Sequence, residues 1–105
     1  MAQRVFFLNT LKPGVDPADY EAWVRRVDYP VARKQESIES YIVTRLDGTL
    51  SGEGEPPYHY LEVIEITDLD AYRDGVKGNA EFEQLLEEWA TYVADSVAVH
   101  GEVIE

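Results

Sequence analysis

The sequence predicts an α+β domain of the ferredoxin-like class. Four strands and two helices in the order βαββαβ would form a four-stranded antiparallel sheet with both helices on one face. Three observations lead there. Four short runs rich in β-branched and aromatic residues are separated by stretches of helical periodicity in that order. The 105 residues suit one domain, spanning 1–105, and are too few for two ordinary ones. Both faces of the predicted sheet are apolar, and two helices can cover only one of them.

Residues 4–11 (RVFFLNTL) read as the first strand, stopped by the Lys12-Pro13-Gly14 turn. Asp16 offers an N-cap oxygen, and Pro17 the pre-set φ of a first helical position. Tyr20, Trp23, Val24, Val27 and Val31 recur at helical spacing and predict one amphipathic helix with those side chains inward. Pro30 disfavours helical geometry at Tyr29, so the helix is expected to end or kink there. Residues 38–46 (IESYIVTRL) and 58–66 (YHYLEVIEI) read as antiparallel strands. Residues 47–57, with three glycines and two prolines, are the loop between them. Thr67-Asp68 offers a second N-cap. The helix it opens meets Gly75 and Gly78, is expected to break, and restarts near Asn79. Phe82, Leu85, Leu86, Trp89, Tyr92 and Val93 then form an apolar stripe. Residues 97–104 (VAVHGEVI) read as the last strand.

Side chains alternate across a strand. Val5 and Phe7 oppose Phe6 and Leu8; Ile42 opposes Tyr41 and Val43; Tyr58, Tyr60, Ile64 and Ile66 oppose Leu61 and Val63. The uncovered face is an exposed apolar patch of the kind that binds something. A second copy laid sheet to sheet is the simplest cover, so a homodimer is expected, with a ligand or another protein as the alternative occupant.

Nine basic against 21 acidic residues give a net charge of -12. Such a surface repels phosphate backbones and anionic headgroups, which argues against nucleic-acid and membrane partners and favours solubility. The absence of cysteine excludes disulfides, thiolate catalysis and cysteine-based metal centres. Residues 5–8 are far too short a run for a signal-peptide core or a membrane span, so the expected location is cytoplasmic.

Chemistry-bearing residues are few. His59 and His100 are the only histidines, and both have the ordinary alternative of an exposed strand histidine. His59 is preferred as an acid–base group because Tyr58 and Tyr60 flank it. Glu62 shares a strand face with Tyr60 and Ile64, where burial would raise its pKa and suit it to proton transfer. Asp28 sits near a helix end, where an acid is electrostatically unfavourable, so it invites a purpose. Arg45 has a salt bridge to Glu62 or Glu65, or a grip on a substrate carbonyl or carboxylate, as its alternatives. Among seven tyrosines and two tryptophans, Tyr20, Trp23, Tyr41, Tyr58, Tyr60, Trp89 and Tyr92 suit either a core or the walls of a pocket for planar rings. No metal site is expected: His59 and Glu62 lie three apart on a strand, hence on opposite faces. The glycines of 47–57 lack the lysine and strand-to-helix context of a phosphate loop. Nothing requires a redox cofactor, and none is expected.

The βαββαβ order and the segment Trp23-Val-Arg-Arg-Val-Asp-Tyr-Pro30, followed by ESIESYIVTRL, resemble the dimeric α/β-barrel superfamily. Within it, the layout from VFFLNTLKPGVDPADYEAWVR to the C-terminus resembles the REDY-like (HapK-like) proteins of prodiginine pigment pathways. Many superfamily members carry a His-x-Pro step before strand two. Here Pro30 matches, but Asp28 stands at the histidine position, which puts histidine chemistry there in doubt. The resemblance implies an accessory protein of prodigiosin-type pigment biosynthesis with a pyrrolic or bipyrrole ligand. His59, Asp28 and Glu62 would be its catalytic candidates for a cofactor-free cyclisation, condensation or tautomerisation. Tyr20, Trp23, Tyr41, Arg45, Tyr58, Tyr60, Trp89 and Tyr92 would bind the ring. The alternatives are a non-catalytic carrier or scaffold for a larger biosynthetic enzyme, and a cofactor-free oxygenase of an aromatic substrate.

Overall fold

A computed structural model describes residues 2–105. Strand β1 is Gln3–Leu11, helix α1 Pro17–Trp23, and a π-helical turn spans Val24–Asp28 before helix α2, Tyr29–Arg33. Strands β2 (Ile38–Arg45) and β3 (Tyr60–Ile66), helices α3 (Leu69–Val76) and α4 (Ala80–Tyr92), and strand β4 (Val93–Glu102) complete the chain. The four strands form one antiparallel sheet in the order β2-β3-β1-β4, the ferredoxin-like arrangement that the sequence predicts. Among the described residues, no helix is long and apolar enough to cross a membrane.

The helix starts are those expected. Asp16 Oδ1 accepts from the Ala18 amide at 2.9 Å with Pro17 in the first turn, Asp68 caps α3 through the Ala71 amide, and Asn79 caps α4 through the Phe82 amide. Gly78, at φ +66°, makes the left-handed break between α3 and α4. Several strand limits differ from the sequence reading, most of all the starts of β4 and β3. β4 begins at Val93 rather than residue 97, because Val93, Asp95 and Ser96 find partners on β1 (Leu11, Thr10 and Asn9), with an irregularity at Ala94. β3 begins at Tyr60, leaving Tyr58 and His59 in a bend before it.

The largest departure is in the first helical region, which neither ends nor sharply stops at Tyr29. It widens instead. The Tyr29 amide bonds back five residues to the Val24 carbonyl, and helix continues through Pro30 to Arg33. The turn changes which side chains face the sheet. Tyr20, Val24, Asp28 and Ala32, spaced four apart, are all buried, whereas Val27 and Val31 are half-buried. Twelve residues of regular α-helix overshoot three full turns by about 120°, so that four-residue ladder holds one face only because one turn is underwound. Asp28 thereby takes the inward place that α-helical spacing assigns to Val27.

Val5, Asn9, Leu11, Tyr41, Tyr60, Glu62, Ile64 and Ile66 form the buried floor under the helices. On the opposite face, Phe6 pairs with Val63 and Val99, Leu8 with Leu61 and Val97, and Ile42 with Val63. Ile42, Val97 and Val99 remain 56%, 42% and 47% exposed. The face bare of helices is therefore apolar, as the alternation predicts.

Candidate functional site

A cavity of about 400 Å³ lies between the sheet and the helices, within the size range of small-molecule sites. Phe7, Ile38, Ile64, Phe82, Leu85 and Trp89 supply its apolar walls. Asp28, Tyr41 and Glu62 supply buried polar atoms, and Tyr72, Arg73 and Lys77 come from α3 and its C-terminal end.

Strand pairing and the π turn bring the three buried polar groups together. Tyr41 and Glu62 point from neighbouring strands toward the helices, and the widened turn aims Asp28 at them. The Tyr41 hydroxyl lies 2.6 Å from Asp28 Oδ2 and 2.6 Å from Glu62 Oε1. A hydroxyl carries one proton. Tyr41 therefore donates to one carboxyl and accepts from the other, which requires a proton on one of the two acids. Two further groups decide which. Asn9 Nδ2 donates to Glu62 Oε2, and Asn9 is oriented by Ser96 Oγ, which donates to its Oδ1 at 2.6 Å. Donors of that kind favour an ionised Glu62. Asp28 has Tyr41 as its single side-chain partner among the described residues, so the proton rests there. The chain runs from protonated Asp28 through Tyr41 to Glu62.

Burial agrees with this assignment. It raises the Asp28 carboxyl to about 7, against the pull of the Tyr41 hydrogen bond and with help from the nearby Glu62 charge. Burial also raises Glu62, while Tyr41, Asn9 and Trp89 hold it down. Tyr41 is pushed well above the usual phenol range by burial and by both carboxyls, and Tyr72 to about 12 by the same causes. The pair thus retains one proton near neutral pH, a condition suited to general acid–base work.

The sequence-derived candidates divide three ways. Asp28, Glu62, Tyr41 and Trp89 line the cavity. Tyr20, Trp23, Tyr60 and Tyr92 do not: they pack on one another beside it, with ring centroids 4.9 Å (Tyr20–Tyr60), 5.5 Å (Trp23–Tyr92) and 5.7 Å (Tyr20–Tyr92) apart. Their aromatic surface is spent on the core. The Tyr60 hydroxyl is tied to Glu21 at 2.6 Å and the Trp23 indole N–H to Glu88 at 2.9 Å. His59, Tyr58 and Arg45 sit off the cavity, toward one end of the sheet. His59 is exposed, and its Nδ1 accepts from the Leu11 amide at 3.0 Å. Arg45 pairs with Glu21 and Asp47 rather than Glu62 or Glu65, because it stands opposite Tyr60 at the strand end, where Glu21 of α1 and the following loop are in reach. Glu65 pairs with Arg4.

Asn9 was absent from the candidates, although the signal was there: the inward positions of β1 read Val5, Phe7, Asn9, Leu11, and a polar side chain in such a row needs a buried partner. Tyr72, Arg73 and Lys77 carry no comparable signal in sequence.

A family model described as REDY-like protein HapK matches residues 3–104. The crystal structure of HapK from Hahella chejuensis is 27% identical, with a TM-score of 0.75, covering 97% of this chain and 92% of that one. An ethyl tert-butyl ether d (ethd) family protein from Bacillus halodurans is 16% identical at a TM-score of 0.76, covering 99% and 100%. The hydroxynitrile lyase from Passiflora edulis is 7% identical at 0.80, covering 99% and 94%. These last two show likeness of fold alone. A comparison with curated protein sequences finds no match. With 102 of its 105 residues (3 to 104) spanned by the family model, the chain belongs to the REDY-like HapK family.

Proposed function

We propose that this protein is an accessory protein of prodigiosin-type pigment biosynthesis, acting in the cytoplasm. It binds a pyrrolic or bipyrrole intermediate in the cavity and transfers protons on it through Asp28, Tyr41 and Glu62. Family membership supports an accessory role in a biosynthetic pathway. The observation that carries the finer reading is an apolar, aromatic-walled cavity holding two buried carboxyls that share one proton. Cyclisation, condensation and tautomerisation of a pyrrole all need a proton added at one atom and removed at another, with no net redox change. Asp28 supplies the proton, Glu62 receives one, and Tyr41 passes it back to reset the pair. Phe7, Phe82 and Trp89 exclude water and hold the flat ring. The bare sheet face supports a homodimer, with Phe6, Leu8, Ile42, Val63, Val97 and Val99 meeting their counterparts.

The test mixes the purified protein with a bipyrrole aldehyde and follows its absorption spectrum. Progressive conversion, lost in the Asp28→Asn and Glu62→Gln variants, supports an enzyme. A stoichiometric spectral shift without turnover supports instead a carrier that presents the ligand to a larger biosynthetic enzyme. No spectral response to the bipyrrole as either its aldehyde or its carboxylate removes pyrroles as the ligand class.

A further inference from the structure

The cavity has a second polar end. Its buried end holds the carboxyl pair; its exposed rim is formed by the C-terminal end of α3, where Arg73 and Lys77 stand one helical turn apart. These two have an unusual place among the nine basic residues. Arg4, Arg25, Lys34 and Arg45 are engaged by glutamate or aspartate, and Arg33 donates to the Tyr41 carbonyl oxygen. Arg73 and Lys77 make no ion pair and no side-chain hydrogen bond among the described residues. Lys12 and Arg26 share that state, but neither lines the cavity. A chain with 21 acidic side chains thus leaves two neighbouring cations unpaired, among the described residues, on the rim of this apolar cavity. A helix dipole favours cations in a last turn. It does not require them to face a cavity, nor to stay without acidic partners on so acidic a surface.

From this juxtaposition we infer that the ligand of this cavity is a planar aromatic acid. Its carboxylate is held at the rim by Arg73 and Lys77, and its ring reaches inward to the Asp28–Tyr41–Glu62 chain. The guanidinium fork matches a carboxylate in two parallel hydrogen bonds, and the ammonium adds a flexible point charge. The polarity sets the direction of entry. A carboxylate at the buried end would meet the charge of Glu62, whereas at the rim it meets cations. Arg73 and Lys77 are accordingly specificity residues: they select acids over the corresponding aldehydes and orient the ring so that its far end, not its acid group, meets the proton donor. The inference rests on the proposed pyrrole-binding role and names the substrate class within it.

Isothermal titration of the full chain with a bipyrrole carboxylate and with the bipyrrole carbaldehyde of the same skeleton tests it. The expected result is binding of the acid about tenfold or more tightly than the aldehyde. In the Arg73→Gln/Lys77→Gln variant the preference should collapse, with acid affinity falling to the aldehyde's level. Both residues are exposed, so the variant is expected to fold, and thermal unfolding checks that it does. Equal affinities in the unaltered protein, or a preference that survives the double substitution, would overturn the carboxylate inference and leave the pyrrole-binding role standing. Failure of both compounds to bind would remove that role and the inference with it.

Discussion

At the scale of single residues, the site depends on where one proton sits. Asp28 is raised from 3.8 to about 7 chiefly by burial, so between those values the folded chain holds a proton that the unfolded chain has released. Stability must then fall as pH rises through that window, from about 4 to about 7, and this group adds no further change above it. The amide introduced by Asp28→Asn is neutral at every pH, and it can donate to Tyr41 as the protonated acid does. The variant is therefore expected to match the parent near pH 4 and to exceed it above pH 7, by on the order of 2–4 kcal/mol. Denaturant unfolding at a series of pH values measures the difference, and a constant offset across the range would show that Asp28 holds no proton in the fold. Catalysis should move the other way. If protons are transferred on a pyrrole, Asp28→Asn and Glu62→Gln should each lower turnover about 10²- to 10⁴-fold. Turnover by the parent should decline above pH 7 as Asp28 ionises. A variant that is more stable at pH 8 yet inactive would separate the acid's chemical role from any structural one.

At the scale of elements, the π turn connects sequence to site. The strand count, the helix caps, the break at Gly78 and the two apolar sheet faces were all legible, because alternation, capping oxygens and glycine are local signals. Asp28 and Glu62 were legible too, as carboxyls out of place. The helix face was not. Its reading took regular α spacing, which selects Val27 and Val31, and no residue announces an underwound turn. The aromatic residues misled for a related reason: periodicity shows that Tyr20, Trp23, Tyr60 and Tyr92 point inward but cannot say whether they surround a space or fill it. His59 misled because the strand was extended two residues too far. A substitution pair tests the register directly. Ala32 is 3% exposed and lines the cavity, whereas Val31 is half-buried beside it. Ala32→Leu should crowd the cavity, destabilise by about 1–3 kcal/mol and weaken ligand binding, while Val31→Leu should cost less than about 1.5 kcal/mol and leave binding intact. In a regular α-helix the two outcomes would be exchanged, so thermal unfolding and ligand titration of both variants decide between the registers.

At the scale of the whole molecule, two long-range properties oppose each other. In the proposed homodimer the bare sheet face would draw copies together, while a formal charge of -12 on each would push them apart. Apolar contact is insensitive to moderate salt, whereas repulsion between surface charges is screened over about 10 Å at 0.1 M and about 30 Å at 0.01 M. A dimer closed through the sheet faces should therefore tighten as salt rises, the reverse of an association held by ion pairs. The expected result by sedimentation is a lower dimer dissociation constant at about 0.5 M salt than at low salt. Introducing charge on the bare face should abolish association under both conditions. Val99→Asp serves for this, because Val99 pairs with Phe6 and is 47% exposed in the lone chain, so the change places a carboxylate in the buried interface of the dimer at little cost to the protomer. The cavity lies on the other side of the sheet, so a folded Val99→Asp monomer should still bind the cavity's ligand. A monomer that binds as well as the parent would place the whole ligand site within one chain. One that has lost binding would show that the sheet pairing braces Tyr41 and Glu62 from behind, since both side chains spring from the strands that the second copy covers.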